Sequence, residues 1–518
     1  MIWGSALHHS PVTSHKKHPL VWTTRHSPLD TRHARIGVDF PPLHGAGCGS
    51  GMRKTKIIAT LGPATESPVA IQGLIQAGVD CFRLNMSHAA HDWVRGIVPC
   101  IRATARELGR VVAILMDTQG PAIRTGDLPA KLVLKAGDVF EFTVRGEKSG
   151  EVLSVDVNYD GLVDDMGVGD TVLVDNGVIH MRVLAKNGNK LRCEVLTEGV
   201  MGSRRHINLP GVKVNLPPLT AKDLADVALG AELGVDFMAL SFCREPGDVE
   251  VLRRVLGEHG STARIVAKIE DQLAVKNIAG IIDAADVIMV ARGDLGIECP
   301  MEDLPIIQRR IVKRCIERGR PVIVATHMLE SMIINPIPTR AEVTDVANAV
   351  FEQADAIMLS GESAAGKYPV KCVDVLDRIA RRIERSGGLG FADNAQLDND
   401  REKTVRSAVV LANSVPDAKI VIFTRRGGMA AYVAGQRPDY ADIFAFAPTR
   451  ELCRKLALLR GVQAIYLPFD VTPERTLATA ERHLITNKLV CSGDHLVVVS
   501  DIFAGEDRFD SIQLRRVP

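Results

Sequence analysis

Lys268 and Glu270 stand two residues apart, where the apolar run Ile265–Val266–Ala267 gives out. In an extended strand alternate side chains share a face, so the ammonium and the carboxylate point one way and Ile269 the other. An isolated Lys-x-Glu at a strand end is ordinarily a surface ion pair. Here, however, other short apolar runs close on the same kind of residue. One ends in Arg83, Asn85, Ser87 and His88, the next in Asp117, Thr118 and Arg124. Further on come Arg292, Gly293 and Asp294, then Thr326 and His327, then Ser360, Gly361 and Glu362. Glu270 and Asp294 offer hard oxygen ligands to Mg²⁺ or Mn²⁺, whereas no CxxC or HExxH offers zinc a site. Arg83, Arg124 and Lys268 suit a doubly or triply negative substrate, the arginines as planar forks and the lysine as a compact charge. "RGDLGIE" places Gly293 at a helix start, where unpaired backbone N–H groups can receive a carboxylate or phosphate. The chemistry by itself describes a divalent-metal enzyme acting on a phosphate ester or carboxylate, and phosphoryl transfer makes the fullest use of the set.

Such residues converge only if the elements that carry them do. The runs "KIIAT" (56–60), "DCFRL" (80–84), "VVAILM" (111–116), "DFMAL" (236–240), "RIVAKI" (264–269), "DVIMV" (286–290), "PVIVA" (321–325) and "DAIML" (355–359) alternate with helical stretches. Short strands separated by helices imply parallel pairing through crossovers. Eight such units predict a closed (β/α)₈ TIM barrel, whose C-terminal strand ends share one bowl. The gap between the third and fourth runs is too long for a loop. Residues 125–216 instead read as short alternating strands, an inserted all-β lid domain shaped as a small barrel over the bowl. A polar linker after 385 leads to a third region, 398–518, read as an open α/β domain with a regulatory role. The barrel then comprises 52–124 and 217–385.

Residues 1–51 differ from the rest: seven of the fifteen histidines fall there, with five basic residues and two acidic ones. They read as a disordered extension or sequence upstream of the working start at Met52, with an organellar transit peptide as the competing reading. Of 63 basic and 62 acidic residues, 58 and 60 remain after Gly51, a balance that argues against a nucleic-acid binder. Mean hydropathy is +0.08, and no run approaches the eighteen apolar residues of a membrane span. The ten cysteines form no CxxC pair and read as free thiols.

The motifs "KTKIIATLGPATES", "FRLNMSH", "MDTQGPAIRTG", "NLPG", "AKIED", "MVARGDLG", "VATHMLESM", "PTRAEVTDVANAV" and "DAIMLSGESAAGKYPV" resemble the pyruvate kinase family in order and spacing. The resemblance implies transfer of the phosphoryl group of phosphoenolpyruvate to ADP, giving pyruvate and ATP, the last step of glycolysis. It implies Mg²⁺ (or Mn²⁺) on Glu270 and Asp294, and Lys268 over the transferring phosphoryl oxygens. Asn85, Ser87, Asp117 and the Thr118 carbonyl would hold K⁺. Arg83, Arg124 and Arg205, with Asn85 and His88, would meet the nucleotide. Arg83, Lys268, Gly293, Asp294 and Thr326 would meet phosphoenolpyruvate, and Thr326, Ser360 and Glu362 would relay the proton. A cytoplasmic homotetramer is the family's usual form.

Three stretches depart from the family's pattern. Ala122 stands where a glutamate or lysine accompanies the K⁺ site. Arg205 and His206 replace Lys-Gly. Arg426 and Met429 replace compact hydroxyls in a C-terminal phosphate loop, so little activation by fructose 1,6-bisphosphate is expected. Two other classes stay open on the sequence: a lyase or aldolase barrel using the same enolate with Mg²⁺, and a non-enzymatic relative kept as a scaffold.

Overall fold

The computed structural model describes residues 51–504 and 507–518. Apart from Gly51, the expectation for the N-terminal extension lies outside the described residues. Eight parallel strands form a closed barrel: β1 (Lys56–Thr60), β2 (Cys81–Asn85), β3 (Ala113–Asp117), β4 (Phe237–Leu240), β5 (Arg264–Ile269), β6 (Val287–Ala291), β7 (Val322–Ala325) and β8 (Ala356–Leu359). Each neighbours its sequence neighbour, and β8 closes on β1.

Five of the strands start one residue later than their apolar runs suggest: Pro321 precedes β7, and before the other four the reason is an aspartate. Asp80, Asp236, Asp286 and Asp355 precede β2, β4, β6 and β8. Each carboxylate accepts a backbone N–H of the preceding strand, from Ile57, Ile114, Ile265 and Val322, at 2.8–3.0 Å. A short polar side chain that satisfies an otherwise orphaned donor fixes the lower rim of the barrel.

The side-chain alternation sorts two cores. Ile265, Ala267 and Ile269 face the surrounding helices, while Val266 joins Ile58, Leu115, Phe237, Met289 and Ile323 inside the barrel. The inward series on β5 is therefore 266, 268, 270, which carries Lys268 and Glu270 up out of the apolar interior. The same step of two gives 81, 83, 85 on β2, 113, 115, 117 on β3 and 237, 239, 241 on β4.

Between β3 and β4 the chain builds a separate all-β core around Phe140, Phe142, Val172, Met181 and Leu191. Its strands lie in a six-stranded sheet and a two-stranded pair. The C-terminal region is an open five-stranded sheet in which Val462–Tyr466, Ile443–Ala447, Ala418–Phe423 and His495–Ala504 are parallel. A fifth, antiparallel strand, Asp507–Arg516, was not among the predicted ones. This domain sits against the lower rim. Ala457 and Leu458 enter the barrel's interior core, Arg454 Nε donates to Asp236 at 2.8 Å, and Arg437 pairs with Asp355 at 2.5 Å.

Eight described cysteines are free thiols. Among the described residues no helix is long and apolar enough to cross a membrane.

Candidate active site

Lys268 Nζ, on β5, spends its three N–H groups on three strands. It donates to Ser241 Oγ at 2.7 Å and meets Asp117 Oδ1 at 3.2 Å and Glu270 Oε1 at 3.0 Å. Asp117 also receives Arg83 Nε at 2.7 Å, and Arg83 Nη1 donates to Thr60 Oγ1. Ser241 links the group to β3 by donating to the Thr118 carbonyl at 2.7 Å. Ser241 was missed from sequence because β4 ends in "LSFC", which carries no charge. The signal that could have found it was its place in the inward series 237, 239, 241.

Burial acts to lower the Lys268 ammonium, but Asp117 and Glu270 outweigh it and hold its pKa above the ordinary value. Asp117 is likewise buried, yet Lys268 and Arg83 hold its carboxyl below the usual range. Glu270 behaves differently from its partner: burial pushes it up to about 7, with Lys268 opposing and Asp294 adding. The contrast follows from sharing. Asp117 has two cations, while Glu270 has part of one and a second carboxylate nearby. Phe242 N–H, donating to Glu270 Oε2 at 2.6 Å, is too little to offset this. Glu270 and Asp294 thus repel one another with only a share of the Lys268 charge to offset it, and a divalent cation would relieve that repulsion. All ligands are oxygens, as Mg²⁺ or Mn²⁺ requires. Among the described residues no group of three or more His, Cys, Asp or Glu side chains could hold a metal, so a cation here would complete its shell from water or substrate.

A cavity of about 370 Å³ opens above these residues, lined by Arg83, Asn85, Ser87, Thr118, Ala122, Arg124, Lys268, Glu270 and Asp294. The inserted domain adds Asp175, Asn176, Arg204, Arg205 and His206 to the wall. Arg205 Nη1 is held by Asp175 Oδ1 at 3.2 Å. His206 lies against Phe242, ring centroids 6.0 Å apart, and burial holds its imidazole below the ordinary value.

The remaining predicted residues stand differently. His88 is exposed and does not line this cavity. The Gly293 N–H, expected to be unpaired, donates to Thr326 Oγ1 at 2.7 Å, so an anion arriving there must displace that hydroxyl. Thr326, at φ +68°, also donates to Ala325 O at 2.6 Å. Glu362 is buried and accepts the N–H groups of Leu329 and Ser360 at 3.0 and 2.7 Å, tying the ends of β7 and β8. Ser360 Oγ is buried with no hydrogen-bond partner. His327 is exposed near Glu330, 3.8 Å away. Arg292 lies buried against Asp345 and the Thr326 carbonyl, which makes it a brace between strand ends.

A (β/α)₈ barrel whose upper strand ends gather carboxylates and cations under an inserted domain defines an enzyme that handles a polyanionic substrate. Residues 52–373 match the pyruvate kinase barrel domain and 402–513 the pyruvate kinase alpha/beta domain. A plastidial pyruvate kinase 3, chloroplastic, of Arabidopsis thaliana is 39% identical over 90% of this chain and 82% of its own. A pyruvate kinase of Staphylococcus aureus is 37% identical over 88% and 79%. The crystal structure of a pyruvate kinase from Cryptosporidium parvum superposes with a TM-score of 0.85 at 33% identity, covering 90% of this chain and 96% of that one. The chain belongs to the pyruvate kinase family, a family of phosphotransferases.

Proposed function

We propose that this chain transfers the phosphoryl group of phosphoenolpyruvate to ADP, with Mg²⁺ or Mn²⁺ held by Glu270 and Asp294. The observation that carries the reading is the meeting of Arg83, Lys268, Glu270 and Asp294 at one cavity, with Asp117 buried against Arg83 and Lys268. A bound divalent cation would supply Lewis-acid stabilisation of substrate oxygens. Lys268 is the group best placed to follow charge as it shifts between phosphoryl oxygens. All three of its N–H groups are engaged, and once Glu270 is taken up by a cation one of them becomes available to a phosphoryl oxygen. Arg83 keeps its fork oriented through Asp117, and Arg124 and Arg205 offer charge for the nucleotide from the cavity's outer wall. Thr326 and Ser360 are the hydroxyls proposed for the proton route, with Glu362 fixing the backbone that carries Ser360. A coupled assay with phosphoenolpyruvate, Mg²⁺ and ADP, against a control without nucleotide, tests the reaction. Pyruvate formed without ADP would mean that the phosphoryl group goes to water rather than to a nucleotide, and none with ADP would end the reading.

The K⁺ set is Asn85, Ser87, Asp117 and the Thr118 carbonyl, and Ala122 lies beside it in the cavity wall. With the ligands kept and a neighbouring carboxylate missing, K⁺ stimulates the enzyme but at higher concentration than in glutamate-bearing relatives. Titration of K⁺ into enzyme held in a large organic cation salt at fixed ionic strength reads this; full activity without K⁺ refutes it.

In the C-terminal domain a cavity of about 960 Å³ is lined by Phe423, Thr424, Arg425, Arg426, Met429 and Phe469, among others. Thr424 Oγ1 accepts the Gly427 N–H, Arg425 lies over the Phe469 ring at 5.2 Å, and Met429 supplies no donor. Fructose 1,6-bisphosphate therefore leaves the phosphoenolpyruvate saturation curve unmoved; a several-fold left shift, lost in Arg426→Ser, would contradict this.

A homotetramer is the proposed assembly. Met301, Ile306, Ile334 and Ile337 are exposed on or beside helices α2 (Leu304–Glu317) and α3 (Arg340–Phe351), which follow α1 (Arg292–Glu298). Such apolar exposure suits subunit contacts. Cytoplasmic placement competes with organellar import by the acid-poor segment 1–51, since two Arabidopsis relatives are named plastidial. The N-terminus of the protein isolated from its source, and the compartment it comes from, decide between them.

A further inference from the structure

The inserted domain touches the barrel at a helix that carries site residues. α1 begins with Arg292, Gly293 and Asp294 and ends at Glu298, whose side chain is buried. Asn208, in the segment by which the insert returns toward the barrel, is also buried and donates from Nδ2 to Glu298 Oε1 at 3.0 Å. The N–H of the next residue, Leu209, favours the charged form of the same carboxylate. Burial pushes Glu298 up to about 7 against the pull of the Asn208 amide, as expected of a buried carboxylate. A second contact lies one residue away. At Gly177, φ +78°, an added Cβ would stand 3.1 Å from Ile297 Cγ2, so the Asp175–Asn176–Gly177 turn closes directly on α1. The barrel holds the exit of the insert elsewhere, through Arg244, which donates to the carbonyls of Val214 at 2.9 Å and Leu216 at 2.6 Å. Arg244 therefore anchors the connection whether or not the insert rests on α1, whereas Asn208 and Glu298 meet only when it does.

We propose that Asn208 and Glu298 are positioning residues that latch the inserted domain onto α1, so that its closure over the cavity and the placement of Asp294 are one equilibrium. The proposal rests on the phosphotransfer reading for its kinetic consequence alone. A hydrogen bond to a buried carboxylate holds a two-state joint by about tenfold. An enzyme whose competent state is less populated binds more weakly in proportion, with its chemistry at saturation unchanged.

Two measurements test the latch on the full chain. Amide hydrogen exchange, read without substrate or metal, reports the joint independently of any activity. In Asn208→Ala the segments 204–209 and 292–299 exchange about tenfold faster, while 171–195 in the core of the insert and 213–217 beside Arg244 keep their protection. Faster exchange throughout the insert would mean that Asn208 is only a folding residue, and no change anywhere would mean that the contact holds nothing; either overturns the proposal. In kinetics, Asn208→Ala raises the half-saturating Mg²⁺ and ADP concentrations several-fold with kcat within about twofold. A fall in kcat at unchanged half-saturation overturns it. The reversed pair, Asn208→Asp with Glu298→Gln, lets the new amide donate to the new carboxylate and keep an oxygen for the Leu209 N–H. It restores both readouts, and failure to restore exchange counts against the latch. A wild-type chain lacking phosphotransfer would sink the functional reading while leaving the exchange result to stand or fall by itself.

Discussion

Lys268→Met lowers kcat by roughly 10²–10³-fold, the loss typical of removing one preorganised charge from a transition state, with a smaller change in the KM for phosphoenolpyruvate. The ammonium sits between Asp117, Glu270 and Ser241, so it is held in place before substrate arrives and needs no reorganisation when phosphoryl charge moves. Its loss also leaves Glu270 without its cation, which drives that already raised carboxyl further toward its neutral form and weakens divalent-cation binding. The measurement is steady-state kinetics at saturating Mg²⁺ and ADP. An effect confined to KM would show that Lys268 binds substrate and transition state equally and would remove it from the chemistry.

Glu270→Gln abolishes most activity and removes a pH effect on stability. The wild-type carboxyl stands at about 7 in the folded chain against 4.5 for the ordinary group. A folded pKa above the unfolded one means that the native state holds the proton more tightly. Without metal, stability therefore falls as pH rises from 4.5 through 7, and the cost is complete above 7. The glutamine variant has no such proton, so its melting midpoint rises relative to wild type between pH 5 and pH 8 in chelator. Mg²⁺ recovers the wild type at pH 8 and does little for the variant. The variant stays inactive because an amide cannot balance a divalent cation, and its single oxygen cannot serve both Lys268 and the Phe242 N–H. A stability difference independent of pH would show that Glu270 is compensated by some other group.

The periodicity of the chain determined the barrel and much of its upper rim. All eight strands follow from apolar runs and their spacing, because a strand buried on both faces has few other ways to be written. Lys268 and Glu270 were legible as a pair because a period of two leaves no choice of face once the strand is placed. Which groups they meet was not legible. Ser241 has no charge to mark it, and Gly293 N–H pairs with a hydroxyl from a different strand end. Asn208 reaches Glu298 across 90 positions of sequence.

The lower rim shows the same division. The aspartates before β2, β4, β6 and β8 were visible in the strand runs, yet their capping of the preceding strands appears only once those strands lie side by side. Arg437 and Arg454, which bind two of these aspartates, come from a domain 82 and 218 residues away. Local sequence fixes backbone conformation and side-chain facing through short-range sterics and hydrogen bonds. The partner of a buried charge is set by which distant segment arrives beside it, and that is decided by how the apolar faces of whole elements pack.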